Sequence, residues 1–237
     1  MADWDRFSKE YDGIFMENPI YVDTIRKMVS EILEGHGKCI LDLGCGTGNT
    51  LAEVLAEFQG VTAYGVDPSA GMRERCLRRF TDNRRVRILE GDALAIPLDD
   101  EQCDYVLTHL ALHHVDPASR EACANEIARV LKPGGVLVYA DFFADVESDA
   151  RDPERARDLI NKTTGQALFC LDHGAFDMAM VLFDSLPATL RADGEYLTTV
   201  ETWMEVLEAA GFEELSVTEV PPVELGVRII RAGLTVA

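Results

Sequence analysis

Between residues 39 and 143 short apolar runs alternate with segments of helical period, and this alternation leaves few folds open. The runs CILDL (39–43), VTAYGVD (61–67), VRILEGD (86–92), CDYVLTHL (103–110) and GVLVYADFF (135–143) have the length and composition of buried strands. Between them, residues 49–58 and 69–80 repeat apolar side chains every three or four positions, and a third such segment opens at Asp116 and Pro117. Apolar strands separated by helices form a parallel sheet covered on both faces. The expected architecture is therefore α/β: a Rossmann-like, seven-stranded, mostly parallel sheet with helices on both faces. Its last two strands, 212–220 and 225–232, pair antiparallel at the edge after a helix begun by a capping box, Thr198-x-x-Glu201. Helices over 3–12 and 19–34, the second stopped by Gly35 and Gly37, form an N-terminal helical cap (1–36). Residues 144–197 carry no strand signal and are expected as a helical insertion after strand five. The whole of 1–237 reads as a single domain.

Charge and cysteine usage narrow the partners. The net charge is -20, which repels a phosphate backbone, so no nucleic-acid partner is expected. No run approaches the ~20 apolar residues of a membrane span. The first residues are acidic and mixed, unlike a secretory leader, so the expected location is cytoplasmic. The six cysteines include no C-x-x-C and no Cys/His cluster of metal spacing; free thiols, and no metal, are expected.

The chemistry concentrates in ILDLGCGTGNT, residues 40–50. A glycine turn between a strand and a helix brings backbone close to a ligand. The spacing is G-x-G-x-G, with Asn49 where the dinucleotide fingerprint has its third glycine, and Asp42 adds negative charge unsuited to a pyrophosphate. Strand two ends at Asp67, placed to accept from ribose hydroxyls, and strand three leads to Gly91-Asp92-Ala93, placed to read an adenine edge. Three carboxylates around one groove favour a cationic adenosyl ligand.

These motifs, followed in order by CDYVLTHLALHHV and RVLKPGGVLVYADF, resemble the class I S-adenosyl-L-methionine (SAM) dependent methyltransferases, and most of all the ubiquinone and menaquinone biosynthesis type. The resemblance covers 39–143 and extends to 198–232. It implies SAM as cofactor, a small-molecule methyl acceptor and in-line transfer. It places Gly44 and Gly46 against the methionine moiety, Asp42 near its amino group, Asp67 on the ribose, Pro68 and Met72 beside the adenine, Asp92 and Ala93 at its edge, and the His109 backbone near the methionine end. In the Tyr11-Asp12 pair, Tyr11 would close over the cofactor. His113 and His114 are candidate bases, against a structural role for the same pair. The insertion is the expected substrate lid, and Phe176, Met180 and Phe183 the expected lid residues; the same apolar helix suits a homodimer interface. The alternatives are a SAM-modifying enzyme, with Arg151, Arg155, Arg157 or Arg191 meeting an extra carboxylate, and a non-catalytic SAM-binding regulator.

Overall fold

A computed structural model describes residues 8–32 and 39–235. The strands are β1 (Cys39–Leu43), β2 (Thr62–Asp67), β3 (Val86–Glu90), β4 (Cys103–His109), β5 (Leu131–Phe142), β6 (Phe212–Glu219) and β7 (Val227–Leu234). They form one sheet in the order β3-β2-β1-β4-β5-β7-β6. Neighbours are parallel from β3 to β5, while β7 runs antiparallel to both β5 and β6. The expected Rossmann-like architecture is therefore present, with the antiparallel pair at one edge.

The helices are α1 (Tyr11–Phe15), α2 (Pro19–Ser30), α3 (Asn49–Glu57), α4 (Ala70–Arg79), α5 (Arg120–Val130), α6 (Pro153–Asp172), α7 (Phe176–Arg191) and α8 (Val200–Ala209). Side chains alternate across each strand, so Ile40, Tyr105 and Val138 face one core while Leu41, Val106 and Leu137 face the other. The first core is closed by Met28 of α2, Leu51 and Val54 of α3, and Met178 and Leu182 of α7. The second is closed by Cys123 and Ile127 of α5 and by Trp203 and Leu207 of α8. Each such fully buried side chain contributes roughly 1.5–3 kcal/mol.

Two sequence expectations shift. Among the described residues the first helix begins only at Tyr11; residues 3–7 of the expected helix, and the Gly35 and Gly37 stop, lie outside them. The capping box moves by one residue: Thr199, not Thr198, is the N-cap of α8 and accepts from the Thr202 amide. Thr198 is instead drawn away, because its hydroxyl donates to Glu147 and its carbonyl accepts from Ala144.

Residues 144–197 do fold as helices. Asp152 caps α6, accepting from the Glu154 and Arg155 amides, and α6 and α7 turn about Gly174 into a hairpin. Lys162 of α6 pairs with Asp145 and Asp158, and the Gln166 amide donates to the Leu225 carbonyl at 2.6 Å. The return segment crosses the sheet end, where the Tyr196 amide donates to the His113 carbonyl at 2.7 Å.

Candidate active site

The strand order reverses between β1 and β4, and the loops beyond their carboxyl ends part into a crevice. Backbone geometry builds its floor. Gly44, Gly46 and Gly48 all have positive φ, and the Gly44 and Cys45 amides donate to the Val66 carbonyl at 2.8 and 3.0 Å. A Cβ on Gly44 would lie 2.4 Å from that of Ala111, so the turn and the β4 loop can approach this closely only with glycine. A Cβ on Gly46 would meet nothing within 4 Å and would project into open space. Leu110, also left-handed at φ 52°, donates its amide to the Ala140 carbonyl and turns the chain at the crevice mouth.

The crevice holds a cavity of about 380 Å³. Gly44, Gly46, Asp67, Pro68 and Met72 line one side. Asp92, Ala93, His109 and Tyr11 line it as well, beside Leu110 and His114. Nine of the ten residues expected at the cofactor thus share one cavity wall. Asp67 accepts from the Gly46 amide at Oδ2 and from Ser69 at Oδ1, both at 2.8 Å, which couples the glycine turn to the end of β2. Asp92 uses Oδ1 to accept from Leu94 and Ala95, so a ligand amino group would be met by Oδ2.

Asp42 is the exception. It is 1% exposed and lies beneath the cavity instead of on its wall, because its position on β1 faces the α3 side. Its Oδ2 has no hydrogen-bond partner. Burial, then the nearby Asp67, pushes its carboxyl up to about 8.

Asp12, whose contacts the sequence left undefined, fastens α1 to the glycine turn. Its Oδ1 accepts from the Thr47 hydroxyl at 2.5 Å and the Asn49 amide at 3.1 Å. Asn49 in turn donates to the Tyr21 hydroxyl and accepts from Arg79. That network holds Tyr11, stacked on Phe15 at 4.1 Å, over the crevice. Burial, then Tyr21, keeps the Tyr11 phenol neutral.

A second cavity, of about 100 Å³, lies between the end of β5 and the α6–α7 hairpin. Phe15, Phe142, Leu159, Met178, Val181 and Leu182 make it largely apolar; Ser185, Thr189, His113 and Glu195 add polar atoms. Tyr11 and Leu110 line both cavities. The expected lid residues are not among the lining. Phe176, Met180 and Phe183 are 59%, 40% and 39% exposed on the outer face of α7. Met178, Val181 and Leu182 occupy the inner face instead. With apolar residues all round this helix, periodicity alone could not orient it.

His113 and His114 follow β4 in a short 3-10 turn at the wall between the cavities. His113 Nδ1 lies 2.6 Å from Asp141 Oδ1, and its Nε2 lies 3.4 Å from Glu195 Oε2. Asp141 is fully buried and also accepts from the His113 and Phe142 amides and the Tyr139 hydroxyl. Burial, the largest effect, pushes the His113 imidazole down, but Asp141 and Glu195 together outweigh it and hold it up at about 9. His114 has its Nδ1 2.9 Å from the Gly194 carbonyl, and burial followed by His113 lowers it to about 4. His109 is lowered to about 4, first by burial. Glu195 had no sequence signal: it is isolated in a polar loop and reaches the histidines only through the fold.

A glycine turn, an acidic β2 terminus and an Asx-turned Asp92 around one crevice define a nucleoside-binding, doubly wound α/β protein. Known proteins narrow the class. A family model described as a methyltransferase domain matches residues 40–135. An uncharacterized methyltransferase of Geobacillus kaustophilus is 32% identical over 155 residues, covering 65% of this chain and 69% of its own. The demethylmenaquinone methyltransferase of Clavibacter sepedonicus is 33% identical over 176 residues, covering 74% of this chain and 66% of its own. A Haloferax volcanii methyltransferase, solved in complex with the Trm112 methyltransferase activator, shares the fold with a TM-score of 0.70 at 18% identity, over 99% of both chains. The chain belongs to the class I SAM-dependent methyltransferases. It spans 60% to 69% of the length of these curated relatives and of two further Geobacillus methyltransferases. The residues present fit SAM: the unpartnered Asp42 Oδ2 beneath the cavity and the open space before Gly46 suit a ligand bearing an ammonium group.

Proposed function

We propose that this chain transfers the methyl group of SAM to a small-molecule acceptor seated in the second cavity. The observation that carries the reading is the pair of cavities meeting at Tyr11 and Leu110, one of about 380 Å³ with Asp67 and Asp92 in its wall, the other of about 100 Å³ and largely apolar. SAM supplies a methyl already activated by its sulfonium, so the protein's work is alignment and exclusion of water. In this reading Asp67 accepts from the ribose hydroxyls, and Asp42 Oδ2 meets the ammonium from below. Asp92 Oδ2 and the Ala93 amide take the adenine edge, with Pro68 and Met72 beside the ring. The His109 backbone lies at the methionine end, and Tyr11 covers the reacting region. The acceptor heteroatom forms its bond to the methyl carbon as the sulfur–carbon bond breaks. The bonding pair stays on sulfur, and the acceptor's proton is released. His113 and His114 face the acceptor's reacting end.

The α6–α7 hairpin is proposed as the acceptor lid, acting through Met178, Val181 and Leu182. A SAM-modifying reaction is less well supported, because none of Arg151, Arg155, Arg157 and Arg191 lines either cavity. The net charge of -20 supports action on a free small molecule in place of a nucleic acid. Among the described residues no helix is long and apolar enough to cross a membrane; a cytoplasmic location and a homodimer remain part of the proposal.

The test is a metabolite screen with methyl-labelled SAM. Label should enter a low-molecular-weight product. Leu182→Ala should lower kcat/KM for that acceptor by about tenfold or more while SAM affinity stays within about twofold. Label entering only protein or RNA would overturn the reading.

A further inference from the structure

We infer that His113, His114 and Glu195 form a binding site for a first-row divalent cation of the zinc type, at the wall between the two cavities. One ligand atom from each residue lies within 4.8 Å of the other two. Tetrahedral ligands about 2.0–2.1 Å from a zinc ion stand roughly 3.3 Å from one another. The 3.4 Å between His113 Nε2 and Glu195 Oε2 already matches that edge. His114 Nδ1 stands 3.9 Å from the other carboxylate oxygen, Oε1, so the two imidazoles flank the Glu195 carboxylate.

The surroundings are those of a ligand shell. A metal-bound histidine commonly gives its other ring N–H to a carboxylate or a backbone carbonyl, which fixes the tautomer and aims the coordinating nitrogen. His113 has such a partner in Asp141 Oδ1 at 2.6 Å, opposite the nitrogen that faces Glu195. His114 Nδ1 lies 2.9 Å from the Gly194 carbonyl, a contact it would exchange for the ion, its proton then residing on Nε2. Asp141 is held by three further donors, so its position is set before any ion arrives. Two carboxylates, Asp141 and Glu195, balance the charge of a divalent ion. Two imidazoles with one carboxylate favour zinc, iron, cobalt or nickel over magnesium or calcium, which prefer oxygen.

Three protein ligands leave a coordination position open, as in catalytic and not structural sites. Here the ligands belong to both cavities: His113 and Glu195 line the acceptor side, His114 the cofactor side. The open position would hold an oxygen or nitrogen donor of the acceptor. That role rests on the acceptor reading above; the ion site itself does not.

Full-length protein stripped with a chelator and titrated with Co2+ tests the site by visible absorption and calorimetry. The expected result is one equivalent bound with the spectrum of a low-symmetry nitrogen and oxygen site. Glu195→Gln and Asp141→Asn should each weaken binding by about 10–100-fold. SAM affinity, measured in parallel, should stay within about threefold in both variants, showing that they remain folded. No Co2+ binding by the wild type, or equal binding by Glu195→Gln, would overturn the site. A chain that binds Co2+ yet methylates no small molecule would keep the site and remove the acceptor reading.

Discussion

Asp42 is buried at the end of β1, and its burial favours the protonated carboxyl over the ionised one. Its Oδ2 is buried without a partner, and burial and then Asp67 push its carboxyl up to about 8. An unfolded aspartate loses its proton near pH ~4. The folded, ligand-free protein therefore binds more protons than the unfolded chain between about pH 4 and 8, so this contribution to stability is full below that window and is lost as pH rises through it. Thermal melts from pH 5 to 7.5 should show stability falling by up to about 1.4 kcal/mol per pH unit from this group. Asp42→Asn should flatten that slope; an unchanged slope would show that Asp42 is ionised in the folded protein. Gly44, Gly46, Asp67 and Asp92 were legible in sequence because each lies at a strand terminus whose position periodicity marks. Glu195 was not, since a lone glutamate in a polar loop carries no period and no spacing.

At the scale of elements, α1 and α7 set the site's two approaches. The Asp12 link from α1 to Thr47 and Asn49 is a partly buried charged hydrogen-bond network. Asp12→Ala leaves those donors without their acceptor and should cost about 1–3 kcal/mol in chemical denaturation. It should also loosen Tyr11 and weaken SAM binding. A variant as stable as wild type with unchanged SAM affinity would show that α1 does not depend on this link. For α7 the contrast lies between its faces. Leu182→Ala should cost about 2–5 kcal/mol through the cavity it leaves, whereas Phe183→Ser on the exposed face should fall within about 0.5 kcal/mol of wild type. The reverse order would place the inner face wrongly. This helix shows where periodicity runs out: apolar residues at nearly every position gave its existence but not its orientation. The α8 cap shows the same limit on a finer scale, since Thr198 and Thr199 are equivalent by composition, and only the competing Glu147 and Ala144 contacts separate them.

The molecule as a whole is a sheet whose order reverses between β1 and β4, and that reversal puts the glycine turn, Asp67 and Asp92 around one crevice. The alternation of strand and helix was enough to anticipate this layout, because parallel connections leave few arrangements. It could not anticipate how residues 144–197 return across the sheet end to bring Glu195 to His113, a contact between segments 82 residues apart (195 − 113). The central claim is that this crevice binds SAM, with Asp67 at its ribose end. Calorimetric titration of SAM into the wild type and Asp67→Ala tests it most directly. Single-site binding by the wild type, weakened about 10–100-fold in the variant, is the predicted result for loss of hydrogen bonds to a charged group. No binding of SAM by the wild type, or equal affinity in the two proteins, would contradict it.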